Sequence, residues 1–289
     1  MPHIQLIVTG KTEQQALGEA LRSVLPPTRG GVLVSWEKAE LVYEPACSRL
    51  QPVLTRPAAL MVTLAKKMLA TLARSPHPGQ PPPDLVLAIG DVELHNLGQE
   101  ALLVAHLRAA LRQEAKGHPA AGLLRDRGAY HLLRPMVEAS FFGDPETLGR
   151  AGVAAVHQRP PLRARDVEEF ESLDPNDAWT RHCSSQRARN TQHPHWQPER
   201  HAKNYLSHLV GRTARSRYRE TEEGAHALST LPWVDVIDTE ASPYLRALFD
   251  DLAAWFGHPS PLRPALSPAP LAPTHPNATA PADRLLRNL

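Results

Sequence analysis

Two groups of residues carry chemistry that folding alone does not require. The first is Asp91-Val92-Glu93, which follows directly on the apolar run Leu85-Val86-Leu87-Ala88-Ile89. Residues two apart in a strand project to the same face, so both carboxylates would point together beyond the strand's carboxyl end. Open α/β sheets bind ligands in the crevice at that edge. Adjacent hard oxygen donors there suit Mg2+ or Mn2+ held jointly with substrate phosphates. The competing reading is structural: both acids open a loop, cap the helix that begins near Leu97 and stay solvated. Three residues do not choose between the two.

The second group is the segment 181–219, with nine lysines and arginines against one acid, Glu199, a formal charge of +8. Arg200, Lys203, Arg212, Arg215, Arg217 and Arg219 are its candidate phosphate contacts. Five histidines lie among them, and Trp196, Tyr205 and Tyr218 would allow bases to stack beside those contacts. A solvated basic face is the alternative; the arginine bias and the near absence of acids favour a polyanion, nucleic acid first. His193, His195 and His201 lack the cysteine pair or His-Glu-x-x-His spacing of a zinc site. Nucleophile-elbow, P-loop and dinucleotide fingerprints are missing, and Gly10-Lys11-Thr12 lacks the upstream glycine of a phosphate loop.

The elements that must position these residues alternate. Residues 3–8 read as a buried strand that stops at Thr9-Gly10, and Thr12 with Gln15 reads as a capping box opening a helix. That helix carries Ala16, Leu17, Ala20, Leu21 and Val24 on one face and ends before Pro26-Pro27. Residues 31–36 and 39–43 predict a hairpin. Pro57 suits the first turn of a helix reaching about Arg74, and a further helix runs from about Leu97 to Ala115. The pattern predicts an α/β fold with a mainly parallel sheet flanked by helices. Strand 3–8 should lie beside strand 85–90, bringing the Thr9-Gly10 turn next to Asp91.

Past residue 160 the strand signal fades, and short helices are expected near 166–171, 199–210, 222–231 and 242–256. The chain thus divides into an α/β core over 1–160, a helical basic region over 161–257, and a tail over 258–289. The tail's eight prolines predict disorder.

Composition bounds the rest. With 32 basic and 30 acidic residues the net charge argues nothing; only its distribution does. Two distant cysteines, Cys47 and Cys183, exclude a disulfide scaffold or cysteine-rich zinc module and fit a reducing compartment. The first residues lack a signal peptide's basic and apolar regions, and no stretch approaches the ~18 apolar residues of a membrane span. A cytoplasmic protein is expected.

Several short stretches resemble an uncharacterised bacterial family with a TOPRIM-like fold. They are Ile7-Val8-Thr9-Gly10-Lys11-Thr12-Glu13, the strand ending in Asp91-Val92-Glu93, and Val137-Glu138-Ala139-Ser140-Phe141-Phe142-Gly143-Asp144-Pro145. His201-Ala202-Lys203-Asn204-Tyr205-Leu206 and Tyr218-Arg219-Glu220-Thr221-Glu222-Glu223-Gly224 are similar to that family's C-terminal pattern, so the likeness spans about residues 4–256. The resemblance implies a nuclease site with Mg2+ or Mn2+ on Asp91 and Glu93, and phosphates held by Arg200, Lys203 and Arg219. It also implies partnership with an AAA-type ATPase in defence against phage or other foreign DNA.

One departure matters. TOPRIM nucleases carry a glutamate just before the first-turn glycine, where this chain has Thr9. Glu13 or Glu138 would supply the missing carboxylate. Glu13's alternative role is a favourable charge at a helix start, and Glu138's is to orient Arg134. Asp144, before Pro145, reads as a helix N-cap. Thr9 leaves a second function open: a catalytically degenerate protein that binds nucleic acid or an ATPase without cleavage.

Overall fold

The computed structural model describes residues 1–42, 49–51, 56–75, 79–191, 193, 196–212, 217–238 and 242–262. The predicted tail lies outside them beyond residue 262. The chain opens with β1 (His3–Val8), whose six residues are all buried, as expected of a parallel strand covered on both faces. Helix α1 (Lys11–Arg22) follows, then the short strands β2 (Thr28–Arg29), β3 (Val32–Leu33), β4 (Ser35–Trp36) and β5 (Glu40–Leu41). Next come α2 (Ala59–Ala73), β6 (Leu85–Asp91), α3 (Glu100–Glu114), α4 (Leu124–Arg127) and β7 (Gly128–Leu133). The remainder is helical: α5 (Pro145–Arg150), α6 (Asp177–Arg189), α7 (Ala202–Gly211), α8 (Ala225–Ser229), α9 (Trp233–Asp238) and α10 (Pro243–Phe256).

The sheet runs β4-β1-β6-β7 with β5 also on β1, and every pairing is parallel. Ile4 pairs with Leu85 and Val8 with Ile89, so the expected neighbourhood of the two strands is present. The expected hairpin over 31–43 is not. β4 and β5 both add in parallel to β1's outer edge, and the small antiparallel ribbon is instead β2 with β3. The cause is tertiary: β1's edge offers a buried row of hydrogen-bonding groups that a free hairpin would leave open.

Side-chain alternation separates two cores. Ile4, Leu6, Val8, Leu85, Leu87 and Ile89 face α1 and the C-terminal helices, where Trp179, Tyr205, Trp233 and Phe249 are buried. Ile7, Val86, Ala88 and Leu132 face α2 and α3. Helical region and sheet therefore share one continuous core. Among the charged contacts at the seam, buried His131 of β7 lies 3.4 Å from Asp251 of α10.

Two caps illustrate how local chemistry sets these ends. Asn176 accepts from Ala178 N at 3.0 Å to open α6. Asp144 accepts from Thr147 N at 2.8 Å and from Arg150 at 3.1 Å, with Pro145 at the first helical position. The Thr12–Gln15 capping box does not form; Gly10 is the cap residue of α1 and Thr12 lies inside the first turn. Asp144→Ala should cost about 1 kcal/mol of stability, measured by urea denaturation.

Candidate active site at the carboxyl edge of the sheet

Helix α1 leaves β1 towards one face of the sheet, whereas α3 follows β6 on the other. Neighbouring parallel strands whose connections part in this way leave a crevice at their carboxyl ends. A cleft of about 330 Å³ occupies that place, with Thr9, Glu13, Asp91, Glu93, Glu138 and Lys203 in its walls.

Asp91 closes β6. Its backbone N–H donates to Thr9 Oγ1 at 3.3 Å, and its Oδ1 accepts from Val137 N at 3.2 Å. Thr9 thus ties the two strand ends together. Glu93 does not continue the strand: its backbone stands at φ 60°, ψ 158°, a region essentially reserved for glycine. Its N–H donates to Pro135 O at 2.9 Å, which helps hold that geometry. Its side chain caps nothing, yet it still lines the cleft.

Glu13, 3 % exposed, folds back from α1 over the first turn. A Cβ on Gly10 would sit 2.6 Å from Glu13 Cδ, so any other residue there would make the carboxylate shift. Glu138 lies in the 3-10 turn Val137–Gly143. Its Oε1 accepts from Thr12 Oγ1 at 3.4 Å and from the Tyr218 hydroxyl at 3.2 Å. Arg134 pairs with Glu100 at 2.9 Å and with Glu169, so it is not Glu138 that orients it.

Sequence reasoning overlooked several participants. Tyr218, Thr12, Glu220 and the half-buried His201 complete the site; the sequence had singled out Tyr218, Thr12 and His201 for other roles, as a stacking ring, a helix cap and a candidate zinc ligand. Tyr218 fills the space that a Cβ on Gly224 would need, 3.0 Å from its Cζ. His201 Nδ1 accepts from Asn204 N at 3.3 Å and so caps α7, a role for which histidine gives no standard signal.

Burial dominates the electrostatics. It pushes Glu13 up to about 8, with Glu138 adding to the rise, and Glu93 up to about 7, again with Glu138 adding. Asp91 stands well above the usual carboxylate range through burial and the charges of Glu13, Glu93 and Glu138. Burial also raises Glu138, against the pull of Lys203. Burial alone would lower Lys203, but Glu138 and Glu220 hold it above its ordinary value, and its Nζ lies 2.7 Å from Glu220 Oε1. His201 is pushed down to about 4 by burial and by Lys203, and is neutral at pH 7.

The basic segment is less open than its charge count implies. Arg200 pairs with Glu169 at 2.9 Å, Arg212 with Asp174, Arg187 with Glu199, and Arg219 with Glu222 and Glu223 at 2.6 Å each. Arg217 is exposed, and Arg215 and His195 lie outside the described residues. Tyr205 is fully buried and donates to Asp174 at 2.7 Å, so it cannot stack on a base. Half-buried Trp196 lies in the cleft wall with its ring 4.6 Å from that of His95.

Among the described residues no three His, Cys, Asp or Glu side chains converge as a ready metal-ligand set. No described helix is long and apolar enough to cross a membrane. In comparisons with known proteins the chain matches no family model, no curated protein and no solved structure.

Two outcomes follow from this geometry. A carboxyl whose folded value is raised binds its proton more tightly in the folded state, so its stabilising effect is complete below about pH 4.5 and is lost as pH rises through 7 to 8. Glu13→Gln should flatten that decline in thermal melts from pH 5 to 8 in EDTA. Glu168, raised to about 8 by burial where it caps α10, is common to both proteins and cancels in the comparison. Glu93→Gly should be about 1–2 kcal/mol more stable than Glu93→Ala, because both lose the charge and only glycine relieves the backbone; equal stabilities would show that the backbone stores nothing.

Proposed function

We propose that this crevice is a metal-dependent phosphodiester-cleaving site acting on nucleic acid, in a TOPRIM-like protein. The observation that carries the reading is the gathering of Glu13, of Asp91 with Glu93, and of Glu138, from three separate segments, at the carboxyl edge of the sheet. They are desolvated and raise one another's pKa, a cost that a dication offsets. The donor set is all oxygen, which fits Mg2+ or Mn2+. Asp91 and Glu93, both partly open to the cleft, would hold the ion, with Glu13 or Glu138 as third carboxylate after side-chain rotation. Bound there, the ion would activate water and stabilise charge on the phosphate.

The chain's own residues have definable parts. Tyr218 and Thr12 fix the direction of Glu138. Lys203 brings an ammonium to the cleft, and Leu60, Met61 and Leu64 give it an apolar wall that limits water. Arg200 and Arg219 would reach phosphates only by exchanging their present carboxylate partners.

Binding without cleavage is the second reading, favoured by Thr9 and by the lack of a ready ligand set among the described residues. Labelled single-stranded DNA, duplex DNA and RNA, each incubated with Mg2+, Mn2+ or EDTA, separate the two. The expected result is metal-dependent cleavage that falls at least a hundredfold in Asp91→Asn. Salt-sensitive binding with no cleavage under any metal would establish the second reading; absence of both would end both.

A further inference from the structure

The cleft is lined by five acids, Glu13, Asp91, Glu93, Glu138 and Glu220; Lys11 of α1 stands in the same wall, and one further cation reaches the cleft from the helical region. That cation, Lys203, is the second residue of α7. A helix's first turn repels positive charge, so its own helix does not favour it there. What favours it is Glu220, at 2.7 Å, together with Glu138 and Glu93 beyond it. Glu220 opens a widened π-type turn, Glu220–Gly224, a distortion found often at functional sites. The same turn carries the glycine that makes room for Tyr218 and so for Glu138's hydrogen bond. One short segment therefore positions both the ammonium's anchor and one of the carboxylates.

We propose that Lys203 is the resident cation of this site: its ammonium, tethered on Glu220, neutralises the acid cluster while no divalent ion is bound, and an entering ion must displace it. The proposal rests on the metal-site reading above and adds a built-in competitor to it. A lysine suits this use because its compact charge rides on four flexible carbons and can swing away without unfolding anything. The displaced ammonium can swing outward while staying paired with Glu220, which stands at the cleft wall with 32 % of its side-chain surface exposed.

The test is calorimetric titration of Mn2+ alone into the EDTA-treated full-length chain, which reads the site without any turnover. Lys203→Met should bind Mn2+ about tenfold tighter than wild type, and Glu220→Gln, which frees the ammonium to sit among the acids, several-fold weaker. Without metal, Lys203→Met should melt below wild type, and saturating Mn2+ should close the gap. A lysine that only braced the fold would weaken Mn2+ binding when changed, and one held away from the ion's position by Glu220 would leave it unaltered. Either result in a folded Lys203→Met protein overturns the proposal while leaving the metal site standing. If that variant does not fold, Glu220→Gln decides, and Mn2+ binding equal to or tighter than wild type overturns the proposal. Binding seen only in Lys203→Met supports it strongly, whereas no Mn2+ binding by any of the three proteins ends the metal-site reading and this inference with it.

Discussion

Mutual repulsion among buried carboxylates is the constraint around which the molecule is arranged. Four acids share one crevice, and burial is the largest cause of every upward shift among them. Such a cluster persists only where the surrounding fold is stable enough to hold it. Here that stability comes from the sheet's central parallel strands, β1, β6 and β7, buried on both faces. Held protons, the Tyr218 and Thr12 hydroxyls and the Lys203 ammonium offset the repulsion only in part. The strained Glu93 backbone lies in the same few ångströms. Stability is therefore spent where chemistry is expected and recovered in the two cores.

The helical half is as much a part of the site as the sheet. The acids come from the sheet and its turns, but the groups that orient and counter them, Tyr218, Lys203 and Glu220, come from beyond residue 200. Trp179, Tyr205, Trp233 and Phe249 bind that half to the sheet face through a shared core. An α/β sheet of this kind provides a crevice wherever adjacent connections diverge; the closing segment decides what the crevice does.

How much of this was legible in the sequence depends on how local the signal was. The β1–β6 pairing, the parallel class of the sheet and the Asp144 cap follow from contiguous apolar runs and near-neighbour hydrogen bonds, and all are present. β7 was illegible because His131 interrupts its apolar pattern, and its partner, Asp251, is remote in the chain. The misread hairpin and the misplaced capping box share a cause: short-range rules yielded to an available strand edge and to a buried Glu138. Asp91 and Glu93 were found through strand periodicity, yet Glu93 reaches the cleft by a backbone conformation that periodicity excludes. Tyr218 and Glu138 meet across 80 residues. The basic segment misled in the other direction. Counting its charges could not reveal that Glu169, Asp174 and Glu220, all outside it, neutralise its most promising members.

One set of ion pairs has a wider meaning. Glu100, Arg134, Glu169 and Arg200 alternate in sign along one connected chain, from the start of α3 to the threshold of α7. Each link closes a loop of more than 30 residues, so the chain acts as an electrostatic crosslink between the two halves of the fold. Glu100, Arg134 and Arg200 are well shielded, while Glu169 keeps half its side-chain surface in water. Screening therefore attacks the crosslink at its middle. Dissolved salt weakens this crosslink, while the shared apolar core goes on holding the two halves together.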